Sequence, residues 1–212
     1  MYKRSISVLA VLLLIIIFPR AVSAAQITAM EAYKAVLQSN MMFYSVDDNK
    51  DYKLNEFDYM NDGDPLEVYR FTVVDMDGDG LPEVVLDFDN TRFGVEVLHY
   101  EGGRVYGFNM SYMPGLAKDG IYNGNASFAA YNIQYYKITS IEKGTYKKES
   151  LARIEYEFSA NGDIVITSYR IGESKVTEDE FNSFVESIGD HIRDNEVVWH
   201  DFTEADIALV FK

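Results

Sequence analysis

An acidic stretch of nine residues, Asp75–Glu83, lies between two apolar runs and constrains the fold more than any other part of the sequence. It reads DMDGDGLPE, with carboxylates at relative positions 1, 3, 5 and 9 and a glycine at position 6. These four negative charges repel one another strongly unless a cation lies between them. Calcium suits the pattern, because alternate carboxylates turn inward, glycine allows a sharp bend and the carbonyl at position 7 adds an oxygen ligand. The stretch therefore predicts a calcium-binding loop.

Alternating polar and apolar residues after Glu67 predict a group of strands around this loop. Pro82 lies immediately before one of them, where its missing N–H is tolerated. Glu101–Arg104 predicts a tight turn. Because the connections are short, we expect an antiparallel meander. Its predicted strands are Val68–Val74, Glu83–Phe88, Val95–Tyr100 and Val105–Tyr112.

The second half of the chain predicts further strands. Asn161-Gly162 lies between two apolar runs and is a strong hairpin signal. Met113–Asn125 contains Pro114 and several glycines, which predicts an irregular connection. The predicted strands are Ser127–Ile141, Leu151–Ser159, Ile164–Tyr169 and Val197–Phe202, with a turn at Glu142–Thr145.

Capping signals predict helices near both ends of the chain. Thr28 and Glu31 have the spacing of a capping box, as do Thr177 and Glu180, and Gly189 predicts the end of the second helix. The predicted helices are Ala25–Met42, Thr177–Gly189 and a short one that Thr203 caps and that ends near Phe211. Together these elements predict an α+β fold. It is a mostly antiparallel β meander in one or two blade-like sheets, with one N-terminal helix and two short C-terminal helices.

Residues 1–24 have the three parts of a secretory signal peptide. Lys3 and Arg4 form a basic start, Ile6–Phe18 is apolar apart from one serine, and Ala21–Ala24 offers small residues for cleavage. The alternative is an uncleaved anchor, but a membrane span needs about 20 apolar residues and this run is shorter. We therefore expect a signal peptide at 1–24 and a single secreted, calcium-stabilised domain at 25–212, without membrane attachment after cleavage.

The charge balance excludes several classes of partner. Without Lys3, Arg4 and Arg20, 16 of the 19 basic residues remain against 34 acidic ones, a net charge of −18. This charge opposes binding to nucleic acid and to anionic lipid, and it attracts divalent cations. The chain contains no cysteine and so forms no disulfide bond. A bound cation would add stability that small secreted proteins often obtain from disulfides.

A second acidic stretch, Asp47–Asp58, resembles EF-hand and dockerin-type calcium loops in its spacing. Oxygen-bearing side chains occupy positions 1, 3, 5, 9 and 12, and Leu54 occupies position 8. However, Tyr52 stands at position 6, where the bend calls for glycine, and Lys50 and Lys53 add positive charge. These departures favour a solvated polar turn, although the sequence leaves open whether the stretch is a second calcium site.

The first acidic stretch, set between apolar strands, resembles the calcium loops of FG-GAP/VCBS-type blades. The resemblance implies a four-strand blade over Val68–Tyr112. Those proteins repeat the blade, whereas this chain has one such loop, which argues against a closed propeller. The whole chain also resembles small secreted proteins of Gram-positive gut bacteria, which implies an extracellular location but no reaction. The calcium ligands implied by the family are the side chains of Asp75, Asp77, Asp79 and Glu83 and the carbonyl of Leu81.

Few residues match a catalytic motif. The chain has no GxSxG nucleophile elbow and no cysteine nucleophile. Its histidines, His99, His191 and His200, have no metal-binding spacing, which is typical of surface residues or of satisfied core residues. Glu155, Glu157 and Asp163 offer a carboxylate pair of the kind that glycoside hydrolases use. Strand alternation, however, predicts a solvated face for the two glutamates.

Tyrosines are frequent in the second half of the chain. Exposed tyrosines on a sheet can stack on sugars, but tyrosine also suits half-buried strand positions, and alternation favours core contacts. The tyrosines concerned are Tyr131, Tyr135, Tyr136, Tyr146, Tyr156 and Tyr169. The sequence thus favours a secreted calcium-binding, non-enzymatic surface or extracellular binding module, with carbohydrate as the specific candidate ligand. The alternative is a secreted glycoside hydrolase-like enzyme that uses a carboxylate pair.

Overall fold

The computed structural model of the protein describes residues 24–58, 65–88, 94–110, 113–124 and 133–212. Within these ranges the chain forms three helices and two mostly antiparallel sheets, which confirms the predicted α+β class. The predicted signal peptide lies outside the described residues except for Ala24. Tyr131 and the first part of the predicted strand Ser127–Ile141 also lie outside them.

The elements follow one another in this order. The N-terminal part contains α1 (Ala24–Leu37), β1 (Phe43–Ser45), β2 (Lys50–Tyr52) and a short 3-10 turn (Leu54–Glu56). The middle contains β3 (Val68–Val74), β4 (Glu83–Phe88), β5 (Val95–Glu101), β6 (Arg104–Met110) and β7 (Ile121–Asn123). The C-terminal part contains β8 (Gln134–Glu142), β9 (Thr145–Phe158), β10 (Ile164–Ile171), β11 (Ser174–Val176), α2 (Glu178–Asp194), β12 (His200–Asp201) and α3 (Glu204–Val210).

Sheet 1 has seven strands in the order β12-β3-β4-β5-β6-β1-β2. Strands β3 to β6 form the predicted antiparallel meander, and Val74 pairs with Glu83 where the acidic loop begins and ends. The β1–β2 hairpin extends this sheet, with β1 parallel to β6. Strand β12 pairs only His200 and Asp201 with β3, so the strand predicted at Val197–Phe202 is shorter than expected.

Sheet 2 has five strands in the order β11-β10-β9-β8-β7. The predicted Asn161-Gly162 hairpin joins β9 to β10, and Gly162 has a φ of 84°. Strand β9 begins at Thr145, earlier than the predicted Leu151. The reason is the tight turn before it, where Lys143 and Gly144 both have positive φ and bring β9 directly back along β8.

Sheet 1 is covered by apolar contacts on both faces. Neighbouring residues point to opposite faces, so Leu86 packs towards α1 and α3 while Val85 packs towards sheet 2. The helix-side core includes Tyr33, Phe71, Leu86, Leu98 and Ile207, and the core between the sheets includes Val85, Val97, Phe108, Ile138 and Ile141. Each such side chain contributes about 1.5–3 kcal/mol on burial. The loop between β3 and β4 therefore begins and ends in a doubly buried part of the sheet.

The helices agree with the capping signals in part. Thr177 and Glu180 form the predicted capping box of α2, and Thr203 caps α3. The predicted cap at Thr28 is wrong, because α1 already begins at Ala24. The predicted end at Gly189 is also wrong: α2 continues to Asp194, since an interior glycine costs a helix only about 1 kcal/mol.

Candidate metal centre

The acidic loop connects the end of β3 to the start of β4. Gly78 and Gly80 have φ angles of 79° and 91°, which side chains other than glycine adopt at a cost. Asp75 accepts hydrogen bonds from both of these glycines, Oδ1 from the Gly78 N–H at 2.8 Å and Oδ2 from the Gly80 N–H at 3.0 Å. The two glycines thus form the bends of the loop, and their hydrogen bonds to Asp75 stabilise these bends.

The loop brings three of the four predicted carboxylates together. Carboxylate oxygens of Asp75, Asp77 and Glu83 lie within 4.8 Å of one another, a spacing at which one metal ion can contact all three. Asp79 is not part of this group, and its Oδ1 accepts a hydrogen bond from the Leu81 N–H at 2.6 Å. Burial, followed by the negative charges of Asp77 and Asp75, raises the pKa of Asp79 despite that bond.

Glu83 lies beneath the loop and is fully buried. Its Oε2 accepts a hydrogen bond from the Met76 N–H at 2.9 Å, and its Oε1 lies 3.0 Å from Nδ1 of His99. This partner was not predicted from the sequence, which indicated only a surface or satisfied core position for His99. The strand pairing offers the signal: Val84 faces Leu98, so in the antiparallel register the preceding Glu83 faces His99.

The environment raises the pKa of both members of this pair. Burial raises the pKa of Glu83 to about 7, although the hydrogen bonds from His99 and Met76 act in the opposite direction. Burial alone would lower the pKa of His99, but the hydrogen bond to Glu83 and the negative charges of Glu83, Glu101 and Asp79 outweigh it and raise the pKa. A divalent cation beside Glu83 would favour the ionised carboxylate.

The loop also contacts the second sheet. Asp77 Oδ2 accepts a hydrogen bond from the Ile141 N–H of β8 at 2.7 Å. Gly120, with a φ of 77°, packs so closely on the loop that a Cβ there would lie 1.8 Å from the Met76 carbonyl oxygen. The Met76 side chain is buried in the core between the sheets. The candidate metal centre therefore lies at the junction of the two sheets.

A cleft opens beside the loop and contains acidic groups that no sequence motif indicated. Its walls include Asp79, Leu81, Glu101 and Glu142. His99 Nε2 lies 3.8 Å from Oε2 of Glu101, which also accepts a hydrogen bond from the Lys143 N–H at 2.7 Å. The cleft therefore adds the acidic side chains of Glu101 and Glu142 beside the loop.

The second acidic stretch, Asp47–Asp58, does not form a helix–loop–helix. Its first part is the turn of the β1–β2 hairpin, where Asn49 has a φ of 54°. Tyr52 is buried, and its hydroxyl donates a hydrogen bond to Asp48. Asp51 pairs with Arg104 at 2.6 Å. Among the described residues, the group of carboxylates close enough to share a metal is the one at Asp75, Asp77 and Glu83.

The predicted carboxylate pair and tyrosines have other partners. Oε1 of Glu155 lies 2.7 Å from Nε of Arg170, and hydrogen bonds from Arg170 and Ser168 lower the pKa of Glu155 to about 2, which suits an ion pair better than a general acid. Glu157 and Asp163 are exposed near the β9–β10 turn. The described tyrosines of this group are half-buried, and several contribute to the cores: Tyr135 and Tyr169 beside α2, and Tyr136 and Tyr146 between the sheets.

Comparison with protein-family models, with curated proteins and with solved structures finds no match to this chain. The resemblance to FG-GAP/VCBS-type loops therefore rests on the motif itself. Within the described ranges, no helix has both the length and the apolar character that crossing a membrane requires.

Proposed function

We propose that this chain is a secreted, calcium-binding, non-enzymatic extracellular binding module. The observation that supports it best is the carboxylate group of Asp75, Asp77 and Glu83, whose oxygens lie within 4.8 Å of one another. Two unit charges at that separation repel by roughly 3 kcal/mol at an effective dielectric constant of 20. Hydrogen bonds within the loop orient these carboxylates but do not neutralise them, whereas a divalent cation does both.

The chemistry of the donors favours calcium over a transition metal. All candidate ligand atoms are oxygens, which hard cations prefer. His99 approaches Glu83 through Nδ1 and acts as a supporting partner that orients the carboxylate. A loop without a bidentate glutamate at position 12 suits the weak calcium affinities of extracellular modules, about 10⁻⁴–10⁻³ M. Calcium is abundant outside cells, which agrees with the predicted signal peptide.

Calorimetric titration of the mature domain with calcium tests this proposal. We expect one site with a dissociation constant of about 0.1–1 mM, and an affinity at least tenfold lower for Asp77→Asn. Asp163→Asn is the matched control, because it removes the same charge from an exposed hairpin turn. Equal binding by the native protein and Asp77→Asn, or a preference for magnesium, would contradict a calcium site in this loop.

The ligand of the module is proposed to be a carbohydrate. The supporting observation is a pair of aromatic residues on β9, exposed Phe158 and half-buried Tyr156: Phe158 is 67% exposed, and its ring centroid lies 5.8 Å from that of Tyr156. Exposed rings are suitable platforms for the apolar faces of sugars.

A glycan array with the native protein and Phe158→Ala, beside a panel of chromogenic glycosides, separates a carbohydrate-binding module from a glycoside hydrolase. Binding without turnover supports the module. Turnover that is lost on replacing an acidic residue outside the loop supports a glycoside hydrolase instead.

A further inference from the structure

Glu96 is a second buried carboxyl group, separate from the candidate metal centre. It lies in β5 between Val95 and Val97, whose side chains point to the core between the sheets. The Glu96 side chain therefore points to the helix-side core, as Leu98 does. The residue is only 1% exposed, and in the part of the chain that the structure describes its Oε1 has no hydrogen-bond partner. Such a group usually has a water, an ion or a specific role to account for it.

The β1–β2 hairpin covers this carboxyl group. A Cβ at Gly107 would lie 2.4 Å from Glu96 Oε1 and 2.6 Å from the ring of Phe43 in β1, so both side chains fill the space above this glycine. Besides the β1–β6 pairing and the Asp51–Arg104 ion pair, two hydrogen bonds hold the turn end of the hairpin on β6. The Val46 N–H donates to the Gly107 carbonyl at 2.8 Å, and the Asn109 N–H donates to Asp47 Oδ2 at 2.7 Å. The docked hairpin thus covers Glu96 through the Phe43 ring.

The charges that face Glu96 come from the same hairpin. Burial, and then the negative charges of Asp47 and Asp48 in the turn between β1 and β2, raise the pKa of Glu96 well above its ordinary value. The groups that lie with Glu96 above this glycine, the Phe43 ring of β1 and the Gly107 backbone of β6, carry no charge. Ionised Glu96 would therefore lie against an apolar ring and near two like charges. The neutral acid avoids both the cost of burying a charge and the electrostatic repulsion.

We infer that the β1–β2 hairpin is a pH-sensitive latch, which docks over Glu96 in its neutral form and opens when this carboxyl group ionises. Opening exposes Glu96 to water, where it has the ordinary acidity of a glutamate. The open form thus releases a proton that the closed form retains. Above the ordinary pKa of glutamate, about 4.3, the opening equilibrium constant increases about tenfold per pH unit until Glu96 ionises in the closed form.

Hydrogen–deuterium exchange between pH 5 and 9, read by NMR and corrected for intrinsic exchange, tests the latch. The Val46 amide reports docking, because it donates to the Gly107 carbonyl, and the Val85 amide in the centre of sheet 1 reports global unfolding. We expect Val46 protection in the native protein to fall about tenfold per pH unit while Val85 remains better protected. In Glu96→Gln, which is uncharged at every pH, Val46 protection should stay constant.

A second variant tests the part played by the turn. In the double variant Asp47→Asn and Asp48→Asn, both side chains keep a carbonyl oxygen as acceptor for Asn109 N–H and the Tyr52 hydroxyl. The loss of the two negative charges should reduce the fall in Val46 protection over the same pH range. The latch is overturned if Glu96→Gln loses Val46 protection as steeply as the native protein does. Constant Val46 protection in the native protein, or equal protection at Val46 and Val85 at every pH, would also overturn it.

Discussion

The two carboxylate oxygens of Glu83 contact different neighbours. One accepts a hydrogen bond from the Met76 N–H, and the other contacts the His99 ring. Glu83→Gln can keep both hydrogen bonds, since the amide offers one acceptor and one donor, but it removes the negative charge. We expect Glu83→Gln to lower calcium affinity at least tenfold with little change in calcium-free stability. Glu83→Ala leaves two buried polar groups without partners and should cost about 2–4 kcal/mol. Urea unfolding in EDTA and calcium titration measure the two effects separately.

Gly120 immediately precedes β7 of sheet 2 and packs closely against the acidic loop of sheet 1. Gly120→Ala places a methyl group 1.8 Å from the Met76 carbonyl oxygen at a φ of 77°, so the loop or the β7 segment must move. We expect a loss of roughly 2–4 kcal/mol. Gly162→Ala is the control: its φ of 84° is similar but no atom lies within 4 Å of the added Cβ, so only the backbone strain of about 1 kcal/mol remains. Similar unfolding midpoints in urea for the two variants would contradict this close approach.

At the scale of elements, the sequence predicted the strands and helices whose formation depends on residues close together in the chain. Alternation predicted β3 to β6, and capping residues predicted α2 and α3, because strands joined by short turns and helix starts depend on local interactions. The parallel pairing of β1 with β6 and the pairing of β12 with β3 were missed, since both join distant segments of only two or three residues. The acidic loop was predictable because it is a contiguous motif. The Asp77 contact with Ile141 was not predictable, because the two residues lie 64 positions apart in the chain.

The capping box of α2 allows a prediction for one element. Thr177 accepts a hydrogen bond from the Glu180 N–H, and Glu180 accepts one from the Thr177 N–H. Thr177→Ala should therefore destabilise the domain by about 1 kcal/mol, measured as a lower urea midpoint. Ser183→Ala is a matched control inside the same helix. The Ser183 hydroxyl donates to the Asp179 carbonyl, a bond that contributes little to a helix, so this variant should be as stable as the native protein or slightly more stable.

For the whole molecule, the loop links sheet 1 to sheet 2, so an ion bound there stabilises the complete domain rather than one turn. At 1 mM calcium and a dissociation constant near 0.1 mM, binding contributes about 1.4 kcal/mol. For a domain of this size we expect the Tm to rise by about 3–6 °C. Differential scanning calorimetry in calcium and in EDTA measures this shift, which Asp77→Asn should reduce to about a third or less and Asp163→Asn should retain. An unchanged Tm in the native protein would mean that the loop holds no stabilising calcium ion.

The parallel position of β1 beside β6 has a consequence for the order in which the protein folds. Tyr44 pairs with Tyr106, and Asp47 binds the Asn109 N–H from 62 residues away, so β1 can pair with β2 early but cannot join sheet 1 until β6 is in place. On a chain that emerges from its N-terminus, β1 and β2 must wait while β3 to β6 assemble through nearest-neighbour hairpins. Such distant pairings form slowly because the chain between them must first become ordered. We therefore expect hairpin docking to be the last step in forming sheet 1, long after its central strands are in place.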